Sequence, residues 1–174
     1  MQKEEFVAQI SQGRVSSNSK MAYTFLKDNF FGERVNEKIL YSLSEAMFLV
    51  KNKKLKILSG KKILTESEVI SKFSKMDKNF QLKYAVFEDL RKKGFILKSG
   101  IKYGADFSVY TKGKKPGKDH SEWLLSAETY SKKLNWKEFI LKNRVANSTK
   151  KKVLIAVQDS EGNIIYYDIT WKKF

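Results

Sequence analysis

The chain has 174 residues, long enough for one domain or two small ones with a real buried core. Its 41% hydrophobic and 13% aromatic content excludes a disordered chain, and 35 basic against 19 acidic residues, a net charge of +16, point to a polyanionic partner. The absence of cysteine excludes disulfides and thiolate metal sites and permits an intracellular, cytoplasmic setting; no apolar run approaches a membrane span, and MQKEEFVAQI does not read as a signal peptide.

Residues 1–20 end in the polar run SQGRVSSNSK and read as a flexible lead-in. Residues 21–43 have β-type composition around a turn near Gly32, the pattern of a small sheet or hairpin. Ser42-Leu43-Ser44-Glu45 and Thr65-Glu66-Ser67-Glu68 are capping boxes, in which a hydroxyl caps the N3 amide and the Glu reaches back to the cap amide. Each predicts a helix start. Between them residues 54–58 read as a short strand stopped by Ser59-Gly60. Together these make a small N-terminal domain of mixed α and β, residues 21–79.

From Phe80 to Lys93, Phe80, Tyr84, Phe87 and Leu90 recur at helical spacing, and Leu82 and Val86 widen the apolar face. Gly94, after the basic turn Arg91-Lys92-Lys93, is a C-cap signal. Strands dominate afterwards. Residues 94–98 lead to a turn at Ser99-Gly100. Residues 105–111 then alternate, with Phe107 and Val109 on one face and Asp106, Ser108 and Tyr110 on the other. A Gly/Lys-rich loop, 111–119, holds the only proline. Another strand follows at 121–127. A helix opens at Asn135, with Glu138 three residues on, and runs to about Ala146. Residues 153–157 and 164–171 form a hairpin across 159–163. The order of elements predicts an α+β protein, residues 80–174 carrying a mainly antiparallel or mixed sheet.

Charge is uneven along the chain. Between Arg91 and Lys118 there are nine basic residues and one acidic one, Asp106; between Lys132 and Lys152 there are eight and one, Glu138. This places the excess in the C-terminal half and favours nucleic acid over a membrane surface or a merely solvated face. His120 is the only histidine, at the junction of the basic loop and a strand, where functional groups are usually mounted. Histidine is also the side chain whose ordinary pKa, about 6.5, suits proton transfer near neutrality. Tyr110 ends the preceding strand on its polar face. Lys151 lies in the run Lys150-Lys151-Lys152, and composition alone does not choose among the three.

Metal chemistry fits poorly. One His and no Cys exclude the usual zinc site, and Asp106, Glu122 and a later Lys are too loosely spaced for the set of a metal-dependent nuclease. No P-loop, GxGxxG or GxSxG occurs. A His, a Tyr and a Lys suffice to cleave RNA without metal. The 2′-hydroxyl attacks its own neighbouring phosphate; a base takes the 2′ proton, an acid protonates the departing 5′-oxygen, and a cation meets the charge building on phosphorus. A basic RNA-binding protein without chemistry is the competing reading.

Several segments, in order, resemble the archaeal tRNA-splicing endonuclease family. They are Lys102-Tyr103-Gly104-Ala105-Asp106-Phe107, Tyr110, His120-Ser121-Glu122-Trp123-Leu124, Arg144-Val145-Ala146-Asn147-Ser148 and Lys150-Lys151-Lys152 before VLIAV. Upstream, Ser42-Leu43-Ser44-Glu45-Ala46 and the run from Tyr84 to Arg91 resemble its N-terminal domain and interdomain helix, so the likeness spans nearly all of 22–174. The resemblance implies a small N-terminal domain followed by a restriction-nuclease-like α/β catalytic domain, and a metal-independent endoribonuclease without cofactor. It implies Tyr110 as general base, His120 as general acid and Lys151 as electrostatic stabiliser, with 2′,3′-cyclic phosphate and 5′-hydroxyl products. A phenol near pKa 10 is mostly protonated at pH 7, and a nearby lysine could lower that value.

The resemblance also implies that Arg144 and an aromatic residue sandwich a bulged base of precursor tRNA. The aromatic is Tyr166 by spacing or Trp171 by residue type. A tetramer is implied, of one chain type or with a second, structural subunit, docked through the acidic loop Asp159-Ser160-Glu161; the bland alternative for that loop is an ordinary turn. A non-catalytic subunit is the rival within the family.

Overall fold

Alternation sets the first strand: Phe6, Ala8 and Ile10 are buried while Val7, Gln9 and Ser11 face outward. This is β1 (Phe6–Ser11), which turns directly into β2 (Arg14–Ser17). The structure, a computed structural model, describes residues 5–172. The expected flexible lead-in is therefore corrected from Phe6 onward, and residues 1–4 lie outside the described residues. The reason is tertiary. β1 pairs antiparallel with β2 and parallel with β5 (Leu55–Ser59), which places a polar-looking run inside a sheet.

The expectation for 21–43 is corrected in part. Ser19 accepts the Ala22 amide at 3.2 Å and starts helix α1 (Lys20–Asn29) where β composition suggested a strand. The Phe25 ring lies 5.4 Å from that of Phe6 and 6.4 Å from that of Phe31, so packing overrides local preference. The hairpin is shorter than the segment: β3 (Glu33–Val35) and β4 (Lys38–Tyr41). The turn at Gly32 needs glycine, with φ at +80° and an added Cβ only 2.4 Å from Ile39 Cγ2.

Both capping boxes form. Ser42 and Glu45 open α2 (Leu43–Lys51), and Thr65 and Glu68 open α3 (Glu66–Met76). Glu45 also accepts the Gly32 amide at 3.0 Å, so this buried cap pins the turn before β3. With β6 (Lys62–Ile63) the six-stranded sheet has the order β3-β4-β2-β1-β5-β6.

The chain divides into two units, Met1–Tyr84 and Ala85–Phe174, the division falling inside α4 (Phe80–Lys92). Gly94 ends α4 as its composition predicts: at φ +89° it donates to the Arg91 carbonyl, and Phe95 donates to Leu90. The second unit is built from β7 (Ile96–Ser99), a 3-10 turn (Ile101–Tyr103), β8 (Phe107–Tyr110), β9 (Trp123–Thr129), α5 (Trp136–Ser148), β10 (Lys152–Gln158) and β11 (Ile164–Ile169). Its sheet runs β11-β10-β9-β8-β7, antiparallel except for β9 and β10, which are parallel and joined through α5. The α+β class thus holds, with two mixed sheets.

Two expectations fail here for physical reasons. Ser108 is buried with Phe107 and Val109, because β8 lies inside the sheet and both its faces are covered. The charge is also not confined to one half: residues 1–84 hold 16 basic and 9 acidic residues, and residues 85–174 hold 19 and 10. Glu88 and Asp89, Asp119, Glu122 and Glu128, and Asp159, Glu161 and Asp168 lie outside the two basic stretches and offset part of them.

Candidate active site

The end of α5 sorts the three lysines. Lys150 adopts φ +56° and donates to the Asn147 carbonyl at 3.0 Å, while the Lys151 amide donates to Ala146 at 2.8 Å, the paired bonds of a Schellman turn. Lys150 is thus used in the left-handed turn and is exposed. Lys152 opens β10, and its ammonium pairs with the Glu122 carboxylate at 3.0 Å. Lys151, between them, is half-buried. Its ammonium donates to the Ser121 carbonyl at 3.3 Å and lies 5.7 Å from the centre of the Tyr103 ring.

Strand register brings the other groups to the same end of the sheet. The Glu122 amide donates to Val109 at 2.9 Å and the Lys152 amide donates to Glu122 at 2.9 Å. Consequently Tyr110 at the end of β8, Ser121 just before β9 and Lys151 just before β10 stand on adjacent strand ends. His120 is exposed and precedes the buried Ser121, at the end of the basic loop. Asp119 closes that loop by accepting the Lys115 amide at 2.8 Å. This bond holds the Asp119 carboxyl below its ordinary range, and the charges of Lys114 and His120 act in the same direction.

Tyr110 is half-buried, and burial raises its phenol above the ordinary value; Lys102 opposes this and Tyr103 adds to it. A lysine does pull the phenol down, as anticipated, but desolvation wins.

Arg144 is exposed on α5 and lines a groove of about 500 Å³ with Ile140, Asn147, Thr170 and Trp171. Tyr166 is placed elsewhere. Its hydroxyl donates to Asp89 Oδ2 at 2.6 Å, the Lys93 ammonium lies 5.2 Å from its ring centre, and burial and Asp89 push its phenol upward. Trp171 shares this groove with Arg144, and Tyr166 does not line it. In the loop after β10, Asp159 accepts the Glu161 and Asn163 amides at 2.9 Å each and the Asn163 side chain at 3.0 Å. The Asn163 side chain first, and these amides with it, hold the Asp159 carboxyl below its ordinary range. Asp159 therefore shapes the turn, and Glu161 is its exposed acid.

The carboxylates weighed for a metal-dependent set are engaged otherwise: Asp106 accepts the Ala127 amide at 2.9 Å, and Glu122 pairs with Lys152. Among the described residues no three His, Asp or Glu side chains gather to hold a metal ion, and no helix is long and apolar enough to cross a membrane. Sequence reasoning passed over Lys102, Tyr103, Asp119 and Ser121 as site residues. The first two lay in plain view in the Lys102–Phe107 motif, but only the fold brings that segment beside Lys151.

A basic α+β protein with a phenol, an imidazole and an ammonium on neighbouring strand ends is equipped as a nuclease. Residues 80–166 match the tRNA intron endonuclease catalytic C-terminal domain, and residues 7–70 match the N-terminal domain of the same family. The chain is 36% identical over 166 residues to the tRNA-splicing endonuclease of Pyrococcus furiosus, covering 95% of each chain. It is 35% identical over 173 residues to that of Thermococcus onnurineus, 99% of each, and 36% identical over 142 residues to that of Sulfurisphaera tokodaii, 81% of this chain and 78% of the other. The chain belongs to the tRNA intron endonuclease family, and it is an endonuclease of tRNA splicing.

Proposed function

We propose that this chain is a catalytic subunit that excises introns from precursor tRNA, cutting at bulge–helix–bulge sites without a metal ion. The observation that carries the reading is the row of strand ends bearing Tyr110, His120 and Lys151 in a member of this family. The 2′-oxygen forms a bond to phosphorus as its proton passes to Tyr110. The bond from phosphorus to the 5′-oxygen breaks as His120 protonates that oxygen. Lys151 meets the extra negative charge of the phosphorane. The products are a 2′,3′-cyclic phosphate and a 5′-hydroxyl. Because burial keeps the phenol protonated, Tyr110 acts from a minor ionised population that Lys102 enlarges.

Residues 80–174 form the catalytic domain in this reading, preceded by the N-terminal domain. Arg144 and Trp171 clasp an unpaired base. The chain assembles as a tetramer in the cytoplasm, of one chain type or with a second, structural subunit, and the Asp159–Glu161 loop docks onto a neighbour. The unpaired edge of β11 and the exposed side chains of Leu134, Trp136, Ile165 and Tyr167 support an assembly surface.

The decisive experiment is single-turnover cleavage of a bulge-containing precursor in excess EDTA. Wild type should cleave and leave cyclic phosphate ends, while His120→Ala and Tyr110→Phe should each lose about 10²-fold or more in rate with RNA affinity kept. Full cleavage by His120→Ala would remove that residue from the chemistry, wild type that binds the precursor without cutting it would leave only an RNA-binding role, and loss of wild-type cleavage in EDTA would return the metal-dependent reading.

A further inference from the structure

Tyr103 stands where several parts of the site meet. It closes the 3-10 turn before β8, and its ring packs on the buried cluster of Leu124, Ala146 and Val153, drawn from β9, α5 and β10. The same ring gathers two ammonium groups, Lys102 at 4.9 Å from its centre and Lys151 at 5.7 Å. Both lie within about 6 Å, the range over which a ring face attracts a cation. Lys151 has one further partner there, the Ser121 carbonyl at 3.3 Å, which is a weak tether for a flexible side chain. Two like charges at one ring also repel each other, and a negative charge brought to them relieves that repulsion. The pair is therefore matched to the charge that builds on phosphorus during cleavage.

Resting on the assignment of Lys151 and Tyr110 made above, we propose that Tyr103 is a positioning residue for RNA cleavage. Its ring fixes the Lys151 ammonium at the Ser121 carbonyl and presents Lys102 as a second cation to the reacting phosphate. Lys102 has a further effect, since its charge favours the ionised form of the Tyr110 phenol. The π face of Tyr103, not its hydroxyl, holds the two cations.

The test compares Tyr103→Phe, Tyr103→Leu and Tyr103→Met in the full chain, with single-turnover cleavage, RNA affinity and melting temperature measured on each. Phe keeps the ring and should cleave within about threefold of wild type, whereas Leu and Met fill the space without a π face and should lose about tenfold in rate with affinity nearly unchanged. Lys102→Gln should also lower the rate about tenfold. In a Lys151→Gln background the Leu change should add less than its full loss, keeping only the part carried through Lys102, because groups acting as one unit are not additive. A packing role alone would instead give additive losses and a lower melting temperature.

Wild-type rates for the Leu and Met variants, or full additivity with Lys151→Gln, would overturn the proposal. If Leu does not fold, the contrast between Met and Phe decides. Wild-type cleavage by Lys151→Gln would sink the parent assignment along with this one. An inactive Lys151→Gln beside fully active Tyr103 variants would sink this inference alone.

Discussion

Three consecutive lysines with the same side chain end in three different environments, and backbone geometry does the sorting. Lys150 occupies the left-handed position after α5, Lys151 reaches the Ser121 carbonyl, and Lys152 pairs with Glu122. Alanine at each position should therefore give unequal effects in the cleavage assay. Lys151→Ala is expected to lose about 10²-fold or more, and Lys150→Ala and Lys152→Ala to stay within about threefold, since an exposed ion pair contributes little. Lys150→Gly should keep full activity and gain up to about 1 kcal/mol in urea unfolding, because glycine adopts the left-handed conformation without strain. Equal losses at all three lysines would mean that only bulk positive charge matters. Tyr110 gives the contrasting lesson. Its place at a strand end was legible from alternation, but the balance of burial against Lys102 depends on neighbours that only folding supplies.

Among elements, the helix ends were the most legible. The Ser42 and Thr65 boxes, the Asn135 cap of α5 and the Gly94 stop each use groups within a few residues of one another. Glu45 goes beyond its box, holding the Ser42 amide and the Gly32 amide at 3.0 Å each. Glu45→Ala should thus cost more than an ordinary cap, about 2–3 kcal/mol, because it leaves buried donors unpaired as well as freeing the helix end. Chemical unfolding measures this, and a loss under about 0.5 kcal/mol would show that water replaces both bonds. β1 and α1 were illegible for the opposite reason. β1 depends on β5, and α1 on the packing of Phe25 with Phe6 and Phe31.

For the molecule as a whole, the titrating groups set a window of stability. Lys62 beside Glu68 holds its carboxyl at about 2. At Asp77 and Asp89, burial would raise the carboxyl, but the bonds from Lys83 and Lys93 outweigh it and hold each low. A depressed folded value contributes stability above the unfolded value, about 4, and that stability is lost as pH falls through the folded value. Burial raises Tyr41, Tyr110 and Tyr166, so their contribution is complete below the unfolded value, about 10, and is lost as pH rises beyond it. The urea midpoint should accordingly be level between about pH 5 and 9 and fall on both sides. Protonating carboxylates in a chain already at +16 adds self-repulsion and steepens the acid limb. A midpoint that climbs steadily from pH 5 to pH 3 would contradict this balance.

The amino-acid order by itself determined what depends on near neighbours and on chemical inventory: the capped helices, the β10–β11 hairpin, the polyanionic partner, and one His, a strand-end Tyr and a run of three lysines as the candidate groups. Tertiary structure decided what depends on distant partners. It turned the supposed lead-in into sheet, brought Lys151 to the Ser121 carbonyl, put Trp171 in the groove that Arg144 lines, and set the Tyr103 ring against two cations. A cap is made by groups three residues apart, whereas the bond from Lys151 to Ser121 spans 30 residues and that from Tyr166 to Asp89 spans 77. No local pattern encodes such contacts, because they exist only when strand register brings the segments together.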